Sequence, residues 1–265
     1  MTLHRIITGN IIFISLIIIE LLSVFQANET TANLLPANEE LVDDSSLNPV
    51  NMEAYEANGM NYWLYIPENS DTNMPLIVYL HGFSGKGDDP EILLHTEEVP
   101  EYLMEGTLRD IPAYILMPQL PDGLGDWRTY EEIVMNLISD IEDTYKINSE
   151  NISLTGFSMG GSGVWSIAAA YPDKFRCIAP CSGALPVNSK TLSALEKMPV
   201  WTFIGTEDTV INPQFTINFM KYLSINNPNA VMTKLEGATH TDIPALVYLS
   251  EEINLFQWMI NPETN

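Results

Sequence analysis

A serine between glycines, one histidine downstream and an acid between the two are the residues whose types and order could do chemistry. Gly156-Phe157-Ser158-Met159-Gly160 fits the pattern Gly-x-Ser-x-Gly. An alkyl hydroxyl is a weak nucleophile at neutral pH, so it attacks a carbonyl only with a base beside it, and the base needs a carboxylate to orient it. His240, in Glu-Gly-Ala-Thr-His-Thr-Asp, is the sole histidine after Ser158 and takes the base role by elimination. The acid belongs just past the apolar run 200–204, where Glu207 and Asp208 both stand. Asp208, three residues beyond Gly205 with Val210 following, is preferred over Glu207. Asp242 reads as a loop-capping carboxylate.

Attack on an ester carbonyl creates an oxyanion that needs preorganised donors. The Met159 N–H, directly after the nucleophile, supplies one, aided by the positive end of the helix it opens. The Phe83 N–H, in His81-Gly82-Phe83-Ser84-Gly85, is nominated as the second. His81 reads as a brace for this loop. Gly82, Gly85 and Gly87 do not form a phosphate cradle, since no Gly-Lys-Ser/Thr follows them. Trp127, in Asp-Gly-Leu-Gly-Asp-Trp-Arg, has two readings, an aromatic wall for substrate or plain loop packing. His95 has no partner suggested by sequence and is expected to be exposed.

These residues require a strand-turn-helix to lift the serine and further strands to carry the other loops. Residues 152–155 form an apolar strand before the Ser158 turn, and a helix runs from about Gly160 to Tyr171, ended by Pro172. Runs 76–80, 114–117, 177–180, 200–204 and 231–235 also read as strands. The continuously apolar ones fit a parallel sheet covered by helices on both faces. Apolar positions 133, 134, 137, 138, 141 and 145 recur at helical spacing, 214–223 is a second helix, and 245–260 reads as one closing amphipathic helix. Upstream, Asn58-Gly59 between aromatic-rich runs marks a tight antiparallel hairpin. The fold class is therefore α/β: a doubly wound, mostly parallel sheet with an N-terminal antiparallel hairpin. Fewer than 20 residues separate the strands near Cys177 and Val200, which leaves no room for a large cap domain.

Composition narrows the function classes. The 265 residues carry 11 basic and 35 acidic side chains, a formal charge of −24. Nucleic acid and anionic membrane bind through basic surface, so neither is expected as a partner. Two cysteines exclude a disulfide scaffold and a Cys-cluster zinc site, and four histidines make a multi-His centre unexpected. No metal and no cofactor are expected. Cys177 and Cys181 lie four apart on one strand, about 13 Å between Cα atoms, and read as unpaired buried thiols.

At the N-terminus an apolar run spans residues 6–22 behind His4 and Arg5, and Glu20 interrupts it. A spanning helix needs about 20 apolar residues, so residues 1–27 read as a secretory leader, with an uncleaved anchor as the alternative. Residues 28–50 read as an acidic linker and 51–265 as the folded domain. The protein is thus expected outside the cell, or at its surface if the leader stays, without stable membrane insertion after cleavage. The oligomeric state is left open by the sequence.

Further motifs accompany the serine: Leu80-His81-Gly82 followed by Gly87-Asp88-Asp89, Met117-Pro118-Gln119-Leu120-Pro121, Gly163-Val164-Trp165, Tyr171-Pro172-Asp173-Lys174-Phe175, Pro180-Cys181-Ser182-Gly183-Ala184 and Phe256-Gln257-Trp258. On them, from about Tyr62 to Trp258, the chain resembles the α/β-hydrolases. More narrowly it is similar to the secreted esterases and predicted peptidases grouped near feruloyl, acetylxylan and polyhydroxybutyrate-type esterases. The resemblance implies a serine carboxylesterase acting through an acyl-enzyme on short-chain or aromatic esters, with small-molecule or polysaccharide-linked esters as substrate. A serine peptidase or amidase, and a non-catalytic hydrolase scaffold, are the competing readings. Where relatives carry a small residue and Gly after His-Gly, this chain has Phe83-Ser84, which alters the acyl pocket but not a backbone donor.

Overall fold

In a computed structural model, which describes residues 51–262, the opening hairpin forms as its turn chemistry requires. Strands β1 (Met52–Ala57) and β2 (Met60–Tyr65) pair antiparallel around Asn58 and Gly59, both at positive φ (55° and 74°). The leader and linker expected over 1–27 and 28–50 lie outside the described residues.

The chain then alternates strand and helix. Strand β3 (Leu76–Leu80) leads to two short helices, α1 (Leu93–Thr96) and α2 (Glu98–Met104), before β4 (Tyr114–Pro118). Helix α3 (Glu131–Tyr145) precedes β5 (Ile152–Phe157), α4 (Met159–Ala170) and β6 (Cys177–Cys181). A short α5 (Ser189–Ala194) separates β6 from β7 (Val200–Gly205); α6 (Gln214–Leu223), β8 (Ala230–Leu235), α7 (Ile243–Tyr248) and α8 (Leu255–Ile260) complete the order.

The eight strands form one sheet in the order β1-β2-β4-β3-β5-β6-β7-β8. β2 pairs antiparallel with β4, and every pairing from β4 to β8 is parallel. Alternate residues of a strand face opposite sides, so each inner strand feeds two cores. Leu76, Val78 and Leu80 join Leu116, Leu154, Ile178 and the buried stripe Val134, Leu137, Ile138 and Ile141 of α3. Ile77 and Tyr79 join Ile115, Ala179, Phe203 and residues of α2, α7 and α8 on the other face. Double-sided burial is why these strands read as unbroken apolar runs.

The closing helix expected over 245–260 is two helices. A continuous helix would place Glu251 below Val247 and Glu252 below Tyr248, on the buried face that Leu255, Phe256, Met259 and Ile260 share. Instead the chain turns between α7 and α8. The Ser250 hydroxyl accepts the Ile253 N–H at 3.1 Å, Asn254 takes φ 46°, and both glutamates stay exposed. Burying two unpaired carboxylates would cost more than breaking the helix. Helices α1, α2 and α5 carry no sequence periodicity that announces them. The 182–199 connection holds α5 alone, without a cap domain over the sheet.

Candidate active site

Strand β5 delivers Ser158 to the carboxyl end of the sheet. Ser158 adopts φ 57° and ψ −117°, a backbone that non-glycine residues rarely take. It is held there from both sides: its N–H donates to the Cys181 carbonyl at 3.0 Å, and its carbonyl accepts the Ser162 N–H at 3.0 Å. The turn is crowded enough to exclude a side chain at its flanks. A Cβ on Gly156 would sit 2.5 Å from the Leu80 carbonyl oxygen, and one on Gly160 would overlap that same carbonyl. The end of β3 therefore lies directly against the start of α4.

His240 follows β8 and Asp208 follows β7, and the two loops meet Ser158 at this edge. Ser158 Oγ lies 3.0 Å from His240 Nε2, and His240 Nδ1 lies 2.8 Å from Asp208 Oδ2. An ionised carboxylate only accepts, so Nδ1 carries the imidazole proton and Nε2 keeps the lone pair that faces the serine hydroxyl. The Phe157 ring, with centroid 4.6 Å from that of His240, packs along the imidazole.

Asp208 is 6% exposed, and all its acceptor capacity is used. Oδ1 accepts the N–H groups of Val210 and Ile211 at 2.9 and 2.8 Å; Oδ2 accepts the Ser182 hydroxyl at 2.9 Å as well as His240. Burial pushes its carboxyl upward, but the hydrogen bonds and the charge of His240, with those from Ile211 and Ser182, outweigh it and hold the group below the usual aspartate range. Glu207 is exposed and takes no part. Asp242 caps its loop, accepting the Thr239 N–H at 2.8 Å and the Thr239 hydroxyl at 2.5 Å.

The comparisons with known proteins come down on this architecture. The sequence model of the phospholipase/carboxylesterase family matches residues 126–250, which hold Ser158, Asp208 and His240. A bifunctional acetylxylan esterase/xylanase of Neocallimastix patriciarum is 27% identical over 168 residues, covering 62% of this chain and 23% of that protein. Feruloyl esterase B of Thermothelomyces thermophilus is 27% identical over 159 residues, 57% of this chain and 51% of its own length. The chain thus spans about a quarter and about half of these two curated relatives. Among solved structures, a thermostable esterase superposes with TM-score 0.68 at 22% identity over 80% of this chain and 62% of that one. A feruloyl esterase module from Clostridium thermocellum does so with TM-score 0.61 at 16% identity over 84% and 94%. The chain is an α/β-hydrolase by fold.

In this hydrolase fold the remaining candidates fall into clear places. His81 is fully buried and braces the loop after β3. Its Nε2 accepts the Leu120 N–H at 2.9 Å, so Nδ1 bears the proton and donates to the Gly82 carbonyl at 2.6 Å. Burial, chiefly, lowers its pKa to about 4, which keeps it neutral. Trp127 is 1% exposed, which corrects the reading of it as a wall for substrate. Its Nε1–H donates to the His81 carbonyl at 3.0 Å, its ring meets the His81 ring edge-on at 4.9 Å, and it fills the space that Gly163 leaves open. Packing is its role because its loop lies over α4. His95 is exposed, and Cys177 and Cys181 are buried free thiols.

Met159 is the first residue of α4, so its N–H has no acceptor within the helix. Among the described residues the Phe83 N–H also donates to nothing, while the Phe83 side chain is 52% exposed. The site contains two residues that the sequence does not flag. Ser182, at φ 43° after β6, steadies Asp208. Glu97, at the joint of α1 and α2, is 1% exposed; its Oε2 accepts the Gly82 N–H at 2.7 Å and its Oε1 lies 2.7 Å from the Ser84 hydroxyl. A serine after a strand and a glutamate in Thr-Glu-Glu-Val are too common in sequence to signal either role. No group of three or more His, Cys, Asp or Glu among the described residues is arranged to hold a metal ion.

Proposed function

We propose that the chain is a serine carboxylesterase that hydrolyses short-chain or aromatic esters through an acyl-enzyme. One observation carries the reading: the continuous relay from Ser158 through His240 to Asp208, at 3.0 and 2.8 Å. Separations of this size allow proton transfer without rearrangement. His240 removes the Ser158 proton as the hydroxyl attacks the ester carbonyl. The Met159 and Phe83 amides hold the oxyanion, and Asp208 stabilises the imidazolium that forms. His240 then protonates the leaving alcohol. Water, activated by the same imidazole, releases the acid and restores Ser158.

The short connection between β6 and β7, which holds α5 alone, supports small or polymer-attached substrates over long-chain lipids. The relatives bear the names of acetylxylan and feruloyl esterases, which supports acetyl or feruloyl esters on plant polysaccharide as substrate. An acidic surface disfavours anionic substrates and helps expel the carboxylate product. The apolar run at residues 6–22 supports action outside the cell; no helix among the described residues is long and apolar enough to cross a membrane.

The test is a panel of 4-nitrophenyl acetate, methyl ferulate and peptide anilides assayed with the wild type and Ser158→Ala. The wild type is expected to favour the esters, and the variant to lose on the order of 10⁴ or more in kcat. Faster cleavage of anilides would make the chain an amidase, and activity that survives Ser158→Ala would remove Ser158 as nucleophile.

A further inference from the structure

We propose that Glu97 is a positioning residue for the oxyanion loop and works as the neutral acid, so that ionising it sets a negative charge beside the oxyanion and slows acyl transfer. The inference rests on the serine esterase reading above.

The carboxyl spans the residue whose amide is assigned to the oxyanion. Oε2 takes the Gly82 N–H on one side of Phe83, and Oε1 meets the Ser84 hydroxyl on the other, both at 2.7 Å. Two anchors on consecutive sides of Phe83 fix the plane of the peptide that carries its N–H, and they divert the Gly82 N–H away from the site. Oxyanion stabilisation depends on donors held in place before the charge appears. A one-ångström displacement of such a group costs up to about 100-fold in rate. The Ser84 hydroxyl is thus one of the two anchors.

The surroundings accommodate the neutral acid. With a proton on Oε1, that oxygen donates to Ser84 Oγ, and Ser84 passes its own proton to the Thr96 carbonyl 3.3 Å away. Oε2 still receives the Gly82 N–H, and the Gly85 N–H also donates to the carboxyl. No cation offsets a carboxylate there. The Lys86 ammonium donates to the carbonyls of Gly123 and Gly125, at 2.5 and 2.8 Å. His240 is engaged with Asp208 and Ser158 and its charge bears on Glu98, and buried His81 is neutral. Glu98, next along the chain, brings a second acid, largely buried with the Tyr79 hydroxyl from β3 beside it. Two neighbouring buried acids cannot both ionise easily. Burial first, then Glu98, pushes the Glu97 carboxyl up to about 8, against the pull of the Gly82, Ser84 and Gly85 hydrogen bonds.

The experiment measures kcat and KM for 4-nitrophenyl acetate against pH in the wild type, Glu97→Gln and Glu97→Ala. The infrared band of protonated carboxyl groups is recorded in the wild type and in Glu97→Gln. The wild-type kcat is expected to fall on the alkaline side with a midpoint near the raised value of about 8. Glu97→Ala should lose about 10- to 100-fold in kcat with little change in KM. Glu97→Gln keeps an acceptor for Gly82 and a donor for Ser84, so it should recover most of that loss and lack the alkaline fall. The infrared difference should show a protonated carboxyl at neutral pH that is missing in Glu97→Gln. Coincident pH profiles for the wild type and Glu97→Gln, no such band, or an Ala variant that unfolds more easily but keeps its kcat would each overturn the proposal. A wild type that hydrolyses no ester in the panel would overturn the esterase reading, and this role with it.

Discussion

Ser158 holds a backbone geometry that costs on the order of 1–3 kcal/mol for a residue with a side chain. The structure tolerates it because the Cys181 carbonyl and the Ser162 amide fix the peptide on either side. Asp208 shows how a buried charge is kept: four donors, two on each oxygen, replace water. Asp208→Asn leaves the shape of the side chain but reverses which His240 nitrogen can carry the proton, so kcat should fall by roughly 10³- to 10⁴-fold with KM nearly unchanged. Ser182→Ala removes one donor of four and should cost less, about 2- to 10-fold. The two perturbed acids act on stability with opposite sign. The Asp208 carboxyl is depressed, so its stabilisation is present above the unfolded value of about 4 and is lost as pH falls through the folded one. The gap in unfolding free energy between the wild type and Asp208→Asn should therefore close in acid. Glu97 is raised, so its stabilisation is present below the ordinary glutamate value and is lost as pH climbs to about 8. Chemical unfolding of the wild type and Glu97→Gln should diverge most across that interval.

At the scale of elements, the serine depends on how closely α4 approaches the end of β3. Gly160→Ala would drive a methyl group into the Leu80 carbonyl, which is backbone and cannot swing aside. A loss of at least about 1–3 kcal/mol in unfolding free energy, together with loss of activity, is the expected result. Trp127 ties the loop before α3 to the loop after β3 through the His81 carbonyl. Trp127→Phe should lower the unfolding free energy in urea by about 1–3 kcal/mol while KM stays put, because the ring touches no substrate surface. A raised KM with unchanged stability would restore the substrate-wall reading. The broken closing helix carries the same lesson. Apolar spacing over 245–260 reads as one helix, yet Glu251 and Glu252 on its buried face decide where it ends.

At the scale of the molecule, a parallel sheet brings every strand's carboxyl end to one edge, and loops after β3, β5, β7 and β8 meet there. Strands β3, β5, β6, β7 and β8 are neighbours in that order, so residues 50 or more apart in sequence become adjacent. The formal charge of −24 acts over longer distances. Its field reaches about 30 Å at 0.01 M salt and only about 8 Å at 0.15 M. The preference for a neutral over an anionic ester, read as the ratio of kcat/KM values, should therefore shrink as salt is added. An unchanged ratio would mean that the local site alone sets it.

Several features were fixed by local chemistry and so could be read in the chain. Asn58-Gly59 dictated the hairpin, double-sided burial wrote the inner strands as apolar runs, and Gly-x-Ser-x-Gly after a strand placed Ser158 at a strand-to-helix turn. His240 followed because no other downstream histidine competes for the role. What needed the folded molecule was contact between distant groups: Ser182 on Asp208, Glu97 on either side of Phe83, and Trp127 buried on His81 where its loop position had left two readings open. Such contacts depend on strand order and on the depth of packing, which no local pattern encodes. A glutamate exposed to water and one enclosed beside the loop after β3 have the same letter, and only the surrounding fold gives them different chemistry.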